Sequence, residues 1–226
     1  MLFLLTTSHT SSHLTSYIHH LMKIFAVGMN YPWHNKDDNN TLLNNGLPVF
    51  YTKPDSTLLR NGKPFFVPNE LGRVEGQAEL VVRINRLGKG IPERFAHRYY
   101  DAFTVGVNFV AVDVLQRLRS GGLPWDAAVA FDQSAAIGEW VPKDQLPPVQ
   151  NLHFCLDING QRAQEGCTAQ MVHSVDALVA HISRYMTLRT GDILFTGTPS
   201  PATTVAIDDH IDGTVEGMGV LHFNVK

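Results

Sequence analysis

Cysteine is scarce: there are 2 in 226 residues. Cys155 and Cys167 match no C-x-x-C spacing, so neither a disulfide framework nor a zinc ribbon is indicated. No uninterrupted apolar run approaches the ~18 residues of a membrane-spanning helix, so no membrane partner is expected. Basic residues are not in excess either. Lys+Arg total 18 against 21 Asp+Glu, a net charge of -3, which removes the general electrostatic reason to bind nucleic acid. Residues 1–21 contain no Lys, Arg, Asp or Glu at all. They therefore lack a basic n-region, and they also lack an A-x-A cleavage site, so they do not read as a secretory signal. The strand candidate at 23–27 (KIFAV) ends at Gly28 but runs into Met-Asn-Tyr-Pro instead of G-x-G-x-x-G, which excludes a dinucleotide-binding opening.

Hydrophobic residues at 44% are enough for a real core. At ~100–200 residues per domain the length fits one compact unit. The expected organisation is a non-domain extension over 1–21, upstream of a start at Met22, followed by one domain over 22–226. A cytoplasmic protein is expected. Four of the 11 histidines (His9, His13, His19, His20) fall in the extension, so the histidine count is a poor guide to metal chemistry.

From Met22 onward the pattern is strand-rich. Residues 35–46 form a polar loop, 49–51 a short strand, and 61–68 a turn followed by another strand. AELVVRI (78–84) is the clearest strand, RFAHRYYD (94–101) is read as helical, and TVGVNFVAVDVL (104–115) as one long β-rich run. LHFCLDI (152–158) alternates and meets Asn159-Gly160, the strongest short hairpin signal, before a return strand. Val175, Leu178, Val179, Ile182 and Met186 mark an amphipathic helix with Ser174 as N-cap. DILFTG (192–197) and 214–225 complete the strands. The fold class is β-rich α+β, without repeats or linkers.

Several positions are chemically suggestive. His34 and Asp37 are three apart, a spacing at which a carboxylate can orient a water-activating imidazole; a solvated polar loop is the competing reading. Gln77 and Glu79 alternate on one strand, so both side chains face the same way and can aim oxygen ligands at one cation; an edge face turned to water would look the same. Asn108 interrupts an apolar run, either as a third oxygen donor or as a hydrogen-bonded break. Thr198, in TGTP (196–199), suits a small carboxylate. Lys53 could pair with an anionic substrate or be an ordinary surface lysine.

These pieces, in this order, resemble the fumarylacetoacetate hydrolase family. The similarity rests on GMNYPWH (28–34), FYTKPDSTLL (50–59), AELVV (78–82), GLPW (122–125), EWVP (139–142), QEGCTAQM (164–171) and, most specifically, GDILFTGTP (191–199). The resemblance implies a mixed β-roll, a homodimer, and hydrolase, decarboxylase or isomerase chemistry on small keto or enol dicarboxylic acids. It also implies Mg²⁺ or Mn²⁺ held by three carboxylates. Carried over position by position, the ligands become Gln77, Glu79 and Asn108, only one of which is an acid. Val112 and Val129 stand where the family has an arginine and a lysine, whereas Asp113 remains. The His–Glu dyad becomes His34 with Asp37, and Lys53, Asp113 and Thr198 fall on the substrate side. The expectation is a family member with weakened activity; the alternative is a catalytically silent member that binds a ligand or a partner subunit.

Overall fold

The computed structural model describes residues 22–32, 46–60, 62–199 and 201–226. Its strands, in chain order, are β1 (Ile24–Gly28), β2 (Val49–Lys53), β3 (Leu58–Leu59), β4 (Val74–Ile84), β5 (Tyr100–Ala111), β6 (Ala135–Ile137), β7 (Val141–Pro142), β8 (His153–Ile158), β9 (Gln161–Cys167), β10 (Ile193–Phe195), β11 (Thr203–Thr204), β12 (His210–Val215) and β13 (Met218–Asn224). A nine-stranded sheet runs β2-β1-β10-β4-β5-β6-β3, with β11 on β4 and β7 on β5. A four-stranded sheet runs β13-β12-β8-β9. The β1–β10 and β3–β6 pairs are parallel and the other ladders antiparallel. This is the mixed β-roll that the resemblance implies.

The long β4–β5 ladder separates two environments. Ala78, Leu80, Val82 and Ile84 of β4 and Phe103, Val105, Val107 and Phe109 of β5 bury into the main core, where the rings of Phe65 and Phe109 stack at 3.9 Å. The side chains between them point the other way. Gln77 sits opposite Asn108 and Glu79 opposite Gly106, so the three candidate ligands share one face.

Asn159 and Gly160 turn at φ 53° and 74°, the left-handed pair that a two-residue hairpin requires, and join β8 to β9 as expected. The helix Val175–Tyr185 begins where its cap is read: Ser174 Oγ accepts from the Ala177 N–H at 3.1 Å. Four segments differ from expectation. The strand read within 61–68 reduces to an isolated bridge between Phe65 and Val225. The helix at 93 stops at Ala96, and Tyr100 already opens β5. The run 104–115 is a strand only to Ala111; from Val112 to Ser120 it is a helix whose Val114 packs with Val110 and Ala128 while Leu115 and Leu118 pack against them. The closing segment 214–225 is mostly one arm of a hairpin, since Glu216 and Gly217 at φ 48° and 76° turn the chain between β12 and β13.

Candidate functional site

The family-like motifs act first as ties between loops. Asn30 donates through Nδ2 to the Thr196 carbonyl at 2.8 Å and accepts at Oδ1 from the His173 N–H, locking the Gly28–Tyr31 turn onto the chain after β10. Asp192 accepts from the Lys23 and Arg189 N–H groups and pairs with Lys23 Nζ at 2.7 Å, which anchors β1 beside β10. Gln164 accepts from the Ala78 N–H and donates to the carbonyls of Pro199 and Pro201, holding the TGTP turn over β4. Gly197 stands at φ 98°, and a Cβ there would lie 2.7 Å from the Asn30 Cβ, so only glycine fits the junction.

Together these ties shape a cleft of about 420 Å³. Gln77, Asn108 and Thr198 line it with Tyr31, Tyr51, Trp125, Val129 and Arg119. Glu79 lies beneath, 1% exposed, with both carboxylate oxygens engaged. Oε1 accepts from Asn108 Nδ2 at 2.8 Å, and Oε2 accepts from the Gly197 N–H at 2.6 Å. Asn108 Nδ2 also donates to the Tyr51 hydroxyl at 2.9 Å, while its Oδ1 is buried without a partner. Burial pushes the Glu79 carboxyl up to about 7, against the opposing pull of Asn108, the Gly197 amide and Lys53.

Lys53, 3% exposed, does not line this cleft. Its Nζ donates to the Ser134 carbonyl at 2.7 Å and to Ser134 Oγ at 3.2 Å. Burial pulls its ammonium down to about 7, and the nearby Glu79 charge works in the other direction. Its influence on the cleft is therefore electrostatic. Burial likewise raises the Tyr31 and Tyr51 phenols above their ordinary value, which keeps both protonated. Asp113 is exposed at the start of the helix Val112–Ser120 and off the cleft; its Oδ2 accepts from the Arg73 N–H at 2.9 Å. Thr198 Oγ1 accepts from Gln164 Nε2 at 3.3 Å and donates to the Pro199 carbonyl at 3.2 Å. His34 and Asp37 lie outside the described residues.

Three contributors escaped sequence reasoning. The Gly197 N–H is a backbone group and leaves no letter to read. Tyr51 sits in a motif that reads as a strand. Arg119, seven residues after Val112 and so near the same face of the helix, reaches the cleft beside the Trp125 ring at 6.0 Å; the 3.6-residue period could have found it.

The chemistry of the donor set can be tested directly against Mg²⁺ or Mn²⁺. Hard divalent cations favour several anionic oxygens. Here one carboxylate is joined by two neutral amides, so these residues do not fit a tightly held cation of that kind.

The Fumarylacetoacetate (FAA) hydrolase C-terminal family profile matches residues 23–226. The chain is 32% identical over 203 residues to mouse oxaloacetate tautomerase FAHD1, mitochondrial, covering 90% of this chain and 91% of that protein. It is 30% identical over 196 residues to oxaloacetate tautomerase YcgM of Escherichia coli K12, covering 86% and 89%. Among solved structures, fumarylpyruvate hydrolase from Pseudomonas aeruginosa, in complex with Mn²⁺ and pyruvate, superposes with a TM-score of 0.79 at 27% identity, covering 91% of this chain and 88% of that one. The ladder geometry, the motif ties and these matches lead to one conclusion: the chain belongs to the fumarylacetoacetate hydrolase family.

Proposed function

We propose that the cleft takes a small keto or enol carboxylic acid, and that the chain turns it over weakly by the hydrolase, isomerase or tautomerase chemistry of its relatives because its cation site is degraded. The single observation carrying this is that Glu79 is the one acid among the three candidate ligands, with the amides of Gln77 and Asn108 beside it on the shared face. Each Glu79 oxygen keeps a lone pair beyond its one hydrogen bond, but an incoming Mg²⁺ or Mn²⁺ would gain only one formal negative charge from the three. The relatives named as oxaloacetate tautomerases, and the hydrolase solved with pyruvate, support the substrate class.

What the chain's own residues do follows from their contacts. Tyr51 accepts from Asn108 and so keeps its own proton free for a ligand oxygen. Arg119, exposed at the rim, draws a carboxylate in, in place of the cations missing at Val112 and Val129. Thr198 can hold a carboxylate oxygen once it releases the Pro199 carbonyl. Asp113 fixes the turn at Arg73, where β4 enters the site, and acts as a positioning residue. Glu79 can hold a proton near neutrality. His34, oriented by Asp37, is the base. A homodimer and a cytoplasmic setting belong to the same proposal.

Ligand binding and turnover together test it. Pyruvate and oxaloacetate should bind with measurable affinity by ligand-observed NMR, and oxaloacetate tautomerisation or acylpyruvate cleavage, followed by ultraviolet absorbance, should be slow. Arg119→Ala should weaken binding about tenfold, roughly one charge-assisted hydrogen bond, with the fold intact. Binding without any turnover would favour the silent ligand-binding alternative. Absence of any ligand binding would overturn the reading.

A further inference from the structure

The hairpin of β12 and β13 carries a second cluster that the cleft does not use. Asp212 pairs opposite His222, and His210 opposite Asn224. Alternation puts all four on one face, while Ile211, Leu221 and Phe223 of the same strands bury into the core. Among the described residues, His210, Asp212 and His222 are the one grouping of three or more His, Cys, Asp or Glu whose ligand atoms all lie within 4.8 Å of one another. His210 Nε2 is 3.3 Å from Asp212 Oδ2, His222 Nδ1 is 2.8 Å from Asp212 Oδ1, and the two imidazole centroids are 4.4 Å apart.

Asn224 makes this more than a crowded surface. Its Oδ1 lies 2.8 Å from His210 Nδ1. An amide oxygen only accepts, so Nδ1 carries the hydrogen and the neutral ring presents its lone pair at Nε2. In that form the lone pair faces Asp212 Oδ2 at 3.3 Å, so the ring and the carboxylate aim at one position that a proton or a metal cation can share. Tetrahedral zinc with bonds of ~2.0–2.1 Å separates its ligand atoms by ~3.3–3.4 Å, which His210 Nε2 and Asp212 Oδ2 already match; His222 Nδ1 now lies against the other carboxylate oxygen and has to turn toward the shared position.

We infer that His210, Asp212 and His222 form a transition-metal site of the Zn²⁺ class, separate from the cleft, with Asn224 orienting His210. Two imidazoles and one carboxylate select Zn²⁺, Co²⁺, Ni²⁺ or Cu²⁺ over Mg²⁺. The fourth position is open to solvent, since His222 is exposed. Binding at His222 Nδ1 leaves that ring neutral with its one hydrogen on Nε2, and every oxidation state is unchanged.

The test uses the full-length chain stripped by chelator and titrated with Zn²⁺ by calorimetry, with Co²⁺ absorbance as a second readout. Residues 1–21, with their four histidines, are present in every variant, so their contribution subtracts. Wild type should take one equivalent more than His210→Gln/His222→Gln, at micromolar affinity. It should show the visible bands of tetrahedral Co²⁺, which that variant lacks. Asp212→Asn should weaken the site at least tenfold, and Asn224→Ala about 10–100-fold, the usual effect of removing an orienting partner. Equal stoichiometry and affinity in wild type, the double variant and Asp212→Asn would overturn the inference.

Discussion

Restoring two carboxylates should create a divalent-cation site where the wild type has almost none. In Gln77→Glu/Asn108→Asp, three carboxylates converge on the shared face of β4 and β5. Each added unit charge about 4 Å from a cation contributes roughly 4 kcal/mol at an effective dielectric near 20, before desolvation and screening. Even after large losses, Mg²⁺ affinity should rise by at least about a thousandfold. Without metal the same variant should be less stable than wild type, because the carboxylate introduced by Asn108→Asp would face Glu79 across the 2.8 Å now bridged by the Asn108 amide. The melting temperature of this variant should therefore climb steeply with Mg²⁺, while the wild-type value stays level. Adding Val112→Arg and Val129→Lys should bring turnover of oxaloacetate or acylpyruvates well above wild type. Val129 is 4% exposed and lines the cleft, so the double variant serves as the reference should the lysine disturb packing. A folded double variant whose melting temperature ignores Mg²⁺ means that Gln77, Glu79 and Asn108 were wrongly matched to the family's ligands.

Glu79→Gln should change the pH dependence of stability more than any other single substitution in the cleft. With no metal bound, burial holds the wild-type carboxyl at about 7 when folded, against its ordinary 4.5 when unfolded. Between those values the folded chain holds a proton that the unfolded chain has released, so stability falls as pH rises from 4.5 to about 7. The size is roughly 3–4 kcal/mol, at about 1.4 kcal/mol per pKa unit. Lys53 acts in the opposite sense. Folded, it loses its proton at about 7, against 10.5 unfolded, so stability rises from about pH 7 upward. The two groups together place a minimum near neutrality. Glutamine removes the falling limb and keeps the geometry: its oxygen can accept from the Gly197 N–H, and its amide can donate to the orphaned Asn108 Oδ1 after that side chain turns over. Chemical denaturation from about pH 5 to 8, the span over which both groups titrate, should show a flat or rising curve for Glu79→Gln. A curve parallel to wild type would mean that Glu79 is ionised throughout.

Much of the fold was legible where side-chain period and turn chemistry agree. Asn159-Gly160 and Ser174 announce their hairpin and helix because the residues that make those turns and caps are few. The run 104–115 misled because Val107, Val110, Val112 and Val114 read as a β-branched strand, although Leu115 and Arg119 stand three and seven residues after Val112, and Leu118 four after Val114, a helical spacing. The Glu216-Gly217 turn was hidden because glutamate rarely takes positive φ, and here the flanking ladder imposes it. In the site, Gln77, Glu79, Asn108 and Thr198 were found from alternation and motif, and the structure brings them together around one cleft. What lay beyond reach was long-range pairing. That Glu79 would be met by a backbone amide 118 positions away, or that Lys53 would bury against Ser134, is encoded in sheet order and not in local sequence.

Glu79, bonded to Asn108 and to the Gly197 N–H and flanked by amides, is expected to hold no Mg²⁺ tightly, and calorimetric titration of the chelator-stripped wild type with Mg²⁺, at a pH slightly above neutrality, tests this most directly. Mg²⁺ is the right probe because the imidazole-rich hairpin cluster disfavours it. No saturable binding is expected at sub-millimolar Mg²⁺. Stoichiometric binding in the micromolar range, abolished by Glu79→Gln, would contradict it.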